Sequence, residues 1–197
     1  CVLSGAGLEL TVDGATGAMR RLAYKGETLA ESAADRSPVT FGVGPKEKMT
    51  WLEQAGRRQV VATRRPSPDA LEVTVRAGEY ELVERYRAHA GTPRLDRSAT
   101  LTWRGAEPVV LRAFAFKTFG VAATPDGFYR FPRVWPPASH PLAVMKRGGR
   151  EGHGGGVAPL VVELFPKRSL LWVSMASDPS SVRIEEGEGR LDVAQDL

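Results

Sequence analysis

Between Glu79 and Phe119 the apolar residues return at every second position, and this alternation limits the chain to strands. In residues 79–90 Tyr80, Leu82, Tyr86 and Ala88 share one parity, and in residues 94–103 Leu95, Ala99, Leu101 and Trp103 do the same. A period of two lines one face of a pleated strand; a helix of 3.6 residues per turn would scatter these side chains. Gly91-Thr92-Pro93 and Arg104-Gly105 interrupt the pattern where Gly or Pro lets the chain reverse. An antiparallel meander is predicted. Its third segment, residues 108–119, is apolar at both parities, with Val110, Phe114 and Phe116 on one side and Val109, Leu111, Ala113 and Ala115 on the other. Such a strand is expected to be covered on both faces, between two layers.

The same rhythm runs through the flanking sequence. Leu8, Leu10 and Val12 alternate with Glu9, Thr11 and Asp13, the glycines of Asp13-Gly14-Ala15-Thr16-Gly17 suit a tight hairpin, and residues 18–24 return as its partner. Lys25-Gly26 turns the chain into residues 27–30, residues 38–43 form the next strand, and Val60-Val61 marks a short one. Pro66-Ser67-Pro68-Asp69 reads as a loop, because two prolines fix φ and withhold donors from a ladder. Leu71, Val73 and Val75 resume the alternation. From Gly120 to Ala158 it stops, in a stretch rich in Pro and Gly that reads as one long loop. Strands resume at residues 159–165, 169–176, 180–185 and 190–193, the last with no closing partner after it, which suggests a longer natural polypeptide. No convincing amphipathic helix is present. The fold class expected is all-β, an antiparallel β-sandwich of supersandwich type, with residues 1–197 as a single domain.

Composition narrows the function classes. The chain carries 42% hydrophobic and 25% charged residues, enough for a real core. It has no apolar run of about eighteen residues, so no membrane-spanning helix is expected. The net charge of +4 is spread over pairs such as Arg57-Arg58 and Arg64-Arg65, interleaved with acids, rather than gathered in a stripe beside stacking aromatics, so nucleic acid is not an expected partner. A lone Cys1 offers neither an intrachain disulfide nor a zinc site, and no cofactor is expected. Its position fits a lipid-modified cysteine, and a chain boundary fits at least as well.

Gly7-Leu8-Glu9-Leu10-Thr11-Val12-Asp13, followed by Thr16-Gly17-Ala18-Met19-Arg20-Arg21-Leu22 and Gly26-Glu27-Thr28-Leu29, resembles the opening hairpin of galactose-mutarotase-like β-supersandwich domains. Residues 80–87, Pro93-Arg94-Leu95-Asp96, the strand with Phe114 and residues 159–179 are similar to the same domains. The resemblance covers most of the chain in strand pattern, without a catalytic signature. It implies an accessory domain set before the catalytic barrel of a bacterial glycoside hydrolase, secreted or in the cell envelope. A free-standing aldose epimerase of this fold is expected to be longer, with a mid-chain His and a late Glu for which this sequence stops too early. The alternative readings are a complete epimerase- or polysaccharide-lyase-type enzyme using His140 or His153 with a Glu as acid and base, and a stand-alone module that binds glycan or protein.

Candidate sugar contacts fall in the loop. Sugar recognition needs a flat apolar face for the C–H side of a pyranose and planar hydrogen-bonding groups for its hydroxyls, and Tyr129, Arg130, Arg133, Trp135 and His140 supply both. The alternative use of these residues is to pin the loop to the sandwich. The expected partners are therefore carbohydrate and a neighbouring catalytic domain of the same polypeptide. No catalytic residue is assigned: Glu81 and Glu84 lie on opposite strand faces and cannot form a glycosidase pair, and no Gly-x-Ser-x-Gly elbow occurs. Glu84 is expected as a partly buried carboxylate tied to Arg97 or Arg112, His89 as an exposed strand-end residue, and His153 as part of a solvated Gly-rich turn.

Overall fold

The computed structural model describes residues 1–32, 39–43, 50–51, 58–122, 128–131, 138–141, 150–153, 160–164, 168–172, 181–187 and 190–196. Beyond Val121 only the course of the backbone strands is described. All elements are antiparallel strands, and no helix occurs among the described residues. The fold is that of a β-sandwich. The chain divides into two compact units, Cys1–Arg112 and Ala113–Leu197.

In the first unit β1 (Val2–Gly5), β2 (Leu8–Val12), β3 (Met19–Tyr24) and β4 (Glu27–Glu31) pair in sequence order. The connections β1–β2 and β3–β4 are two-residue turns, Ala6-Gly7 and Lys25-Gly26, with all four residues at positive φ. That is the turn whose twist matches a right-twisted hairpin. The β2–β3 turn is built instead on Asp13, whose Oδ1 accepts from the N–H groups of Ala15 at 2.9 Å and Thr16 at 2.8 Å. β5 (Val39–Val43) pairs with β6 (Thr50–Trp51).

A second sheet follows in the order β10-β9-β8-β7, from β7 (Gln59–Ser67), β8 (Ala70–Ala77), β9 (Tyr80–Ala88) and β10 (Leu95–Trp103). The alternating residues do what their period requires. Leu71, Val73, Val75, Tyr86 and Ala88 face Leu3, Leu10, Val12 and Met19 of the first sheet in one buried cluster. Each such large side chain contributes roughly 1.5–3 kcal/mol by leaving water. The sheets approach closely where Gly5 lies over β9: a Cβ at this position would come within 2.9 Å of the Ala88 Cβ.

Several sequence expectations need correction. Strand β7 runs through Pro66 rather than stopping before it, because β7 is an edge strand and its register shifts between Arg64 and Ser67 to accommodate the missing donor. The segment after β10 does not extend the meander: β11 (Leu111–Ala122) pairs with the C-terminal strand, with Ala115 opposite Asp196. Val109, Val110 and Leu111, expected under cover, are exposed. An N-terminal strand, β1, was not anticipated; its Leu3 is fully buried.

The second unit also shows strands where a continuous loop is expected. β12 (Phe128–Phe131), β13 (Ala138–Pro141) and β14 (Arg150–His153) lie inside residues 120–158. They are joined by β15 (Leu160–Leu164), β16 (Arg168–Trp172), β17 (Ser181–Gly187) and β18 (Arg190–Asp196). One set of pairings runs β11-β18-β17-β14, which puts β18 between two neighbours, and a separate four-stranded sheet runs β13-β12-β15-β16.

Candidate functional site

The four-stranded sheet of the second unit carries the expected sugar-binding positions that fall among the described residues. On β12 and β13, Tyr129 is directly opposite His140 and Arg130 directly opposite Ser139. Directly opposed residues share a face and adjacent residues do not. The structure therefore brings Tyr129 and His140 together and puts Arg130 on the other face. Arg133 and Trp135 lie outside the described residues, between these two strands.

Register extends the row. Tyr129 is opposite Val162 of β15, and Val162 is opposite Leu170 of β16. One step along the same face come Phe131 and, through the pairing of Leu160 with Trp172, the position of Trp172. Aromatic positions 129, 131 and 172 thus fall on the face that His140 shares. Nothing local in the sequence marks Trp172, because its parity relative to Tyr129 is set through two successive pairings, β12 with β15 and β15 with β16. His153, expected in a turn, is part of β14 opposite Val182.

The other concentration of chemistry is in the first unit, where side chains are described. Glu84 points from β9 into the core and is almost completely buried. The Arg58 guanidinium donates to its Oε1 at 2.7 Å, and the Tyr86 hydroxyl donates to its Oε2 at 2.6 Å. Arg58 also donates from Nε to the Thr16 carbonyl at 3.1 Å, which ties the β2–β3 turn to the second sheet. The expected partner, Arg97, sits instead with its guanidinium carbon 5.7 Å from the centre of the Tyr86 ring. The side chain of Arg112 is not described. Burial first, and then the charge of Glu84, push the Tyr86 phenol well above its ordinary value, so it remains a donor. A carboxylate held this way on both oxygens inside a sheet interface has no room for a substrate and works as a structural tie.

At the β9–β10 turn, His89 lies within hydrogen-bond distance of Asp96, 2.8 Å from Nε2 to Oδ2, and is partly buried rather than free in solvent. Arg94 grips the same carboxylate through two N–H groups, at 2.6 and 3.1 Å. Arg94 and then His89 hold Asp96 below its ordinary value. On the outer face of the sheet Glu72 lies between Arg64 and Arg85, and Glu81 between Arg76 and Arg104. Among the described residues no three His, Cys, Asp or Glu side chains gather as a metal site.

No family model and no curated protein matches the chain by sequence. Among solved structures it is similar to a GH36 alpha-galactosidase from Geobacillus stearothermophilus, determined in complex with stachyose. The TM-score is 0.62 at 11% identity, over 99% of this chain and 36% of that one. The likeness establishes a shared fold with part of a glycoside hydrolase. The chain spans about a third of that enzyme's length.

Proposed function

We propose that this chain is a non-catalytic β-sandwich domain of a carbohydrate-active enzyme, a glycoside hydrolase, and that it supports or completes a sugar site formed largely by a neighbouring catalytic domain. The observation that carries the reading is the extent of the fold likeness: nearly the whole chain superposes on little more than a third of a sugar-hydrolysing enzyme. The part of that enzyme outside the match is large enough to hold a separate catalytic domain. The absence of a glycosidase carboxylate pair on β9 agrees with this, since Glu84 is consumed by Arg58 and Tyr86.

In this reading the sugar-facing positions are Tyr129 and His140, paired across β12 and β13, with Trp135 and Arg133 on the connection between them. Arg130, the fifth candidate contact, falls on the opposite face of the sheet from Tyr129 and His140. The partners are a carbohydrate and the catalytic domain, in an extracytoplasmic setting. Calorimetric titration of the chain with a panel of oligosaccharides that includes stachyose tests the assignment. Binding that is lost in Tyr129→Ala and Trp135→Ala at unchanged melting temperature supports it; a fall in melting temperature in both variants, with no binding by the parent chain, assigns these aromatics to packing instead.

A further inference from the structure

Among the described residues β10 has a neighbour on one edge only, and its backbone bonds show which residues face the other edge. His89 N–H bonds the Arg94 carbonyl at 3.1 Å and Arg104 N–H bonds the Glu79 carbonyl at 2.9 Å. Between these points the register is unbroken, from Leu95 opposite Ala88 to Trp103 opposite Tyr80. Bonded pairs alternate along an antiparallel ladder. Even-numbered residues of β10 therefore direct their N–H and C=O toward β9, while Leu95, Ala99, Leu101 and Trp103 direct theirs to the other edge. Among the described residues no strand pairs there.

The opposite edge of the sheet is treated differently. β7 has two register shifts, contains Pro66, and carries the exposed Arg64 and Arg65. Bulges, proline and charge are the devices that keep an edge from recruiting another strand. β10 has no bulge or proline over residues 95–103, and its one inward charge, Arg97 over the Tyr86 ring, precedes an uncharged run of Ser, Ala, Thr, Leu, Thr and Trp at residues 98–103. Its inward row is also incompletely covered. Leu95, Ala99, Leu101 and Trp103 are only part-buried, whereas Tyr80, Leu82, Tyr86 and Ala88 of β9 are buried.

We infer that β10 is a pairing edge for a second copy of this chain, the two strands running antiparallel about a two-fold axis at Thr100. This register is self-complementary. It sets Ser98 opposite the partner's Thr102 and Ala99 opposite the partner's Leu101, and at each end Asp96 meets the partner's Arg104 and Arg97 meets the partner's Trp103. No like charges face each other, hydroxyls pair on the outer face, and the half-covered apolar row gains a neighbour. The two four-stranded sheets become one of eight strands. The dimer is independent of the sugar reading and survives its failure.

Sedimentation equilibrium of the 197-residue chain reads the association directly. Ala99→Pro removes a donor only from the open edge and leaves the β9 ladder intact. Thr100→Lys, at an exposed position, sets two lysines face to face on the axis. The expected result is a dimer in the parent chain, weakened at least about tenfold in both variants at unchanged monomer circular dichroism. A parent chain that is monomeric up to about 100 μM, or a dimer that both variants leave intact, overturns the inference.

Discussion

Arg58 and Glu84 meet at 2.7 Å inside the first unit, with only 9% and 2% of their side chains exposed. Two charges taken this far out of water hold each other in place, but their attraction mostly repays their own desolvation. Removing one partner should therefore be much worse than removing both. Arg58→Met should cost about 3–5 kcal/mol, and Arg58→Met with Glu84→Leu clearly less than the sum of the single changes. Urea unfolding of the four members of the cycle checks this. Additive losses would show that the pair does not act as a unit.

Tyr86→Phe deletes only the hydroxyl that donates to Glu84 Oε2 at 2.6 Å. It leaves a buried carboxylate oxygen short of one donor, a loss of about 1–3 kcal/mol. The same denaturant titration measures it, and a neutral Tyr86→Phe would mean that Glu84 does not need the phenol.

Two glycines of one turn should respond in opposite ways to alanine. Gly17 has φ of 70°, and a Cβ there would come within 2.8 Å of Val75 Cγ2, whereas a Cβ on Gly14 meets nothing within 4 Å. Gly17→Ala should destabilise by roughly 1–3 kcal/mol and Gly14→Ala should stay within about 0.5 kcal/mol of the parent. Thermal melts of both variants decide.

Low pH should release the β2–β3 turn. The backbone donors Thr16 and Ala15 hold Asp13 below its ordinary value of 3.8. A group whose folded value is depressed stabilises the fold above its unfolded value, and that contribution disappears as pH falls through the folded one. Between pH 7 and about 5 Asp13→Asn should therefore be less stable than the parent, with the difference shrinking below about pH 4. Melting temperatures taken every half unit of pH follow it. A gap that widens on acidification would contradict the assignment.

What was legible in the sequence follows the length of each periodic segment. Leu71, Val73 and Val75, and then Tyr80, Leu82, Tyr86 and Ala88, announce their buried face because long alternations leave one register with the apolar side inward. The Lys25-Gly26 hairpin is readable for a similarly local reason, the need for positive φ. Partner choice was not. Residues 108–119 are apolar at both parities and suit any central position, and what claims β11 is a strand some seventy residues later. Phe128–Phe131 and Ala138–Pro141 are four residues each, too short to display a period and hidden among prolines. At the candidate site, composition points to Tyr129, Arg130, Arg133, Trp135 and His140 alike, and only register puts Arg130 on the other face of β12 from Tyr129 and His140. Arg58, the true partner of Glu84, opens an unpatterned stretch 26 residues before it, where nothing local marks it as buried.

The most direct measurement of the functional account is proton NMR of the chain with a mixture of oligosaccharides and free aldoses, reading saturation transfer and anomeric signals in the same samples. A sugar-holding domain without chemistry of its own predicts transfer to at least one glycan and no new anomeric resonance over hours. New anomeric signals produced by the chain, or no transfer to any sugar tested, would contradict it.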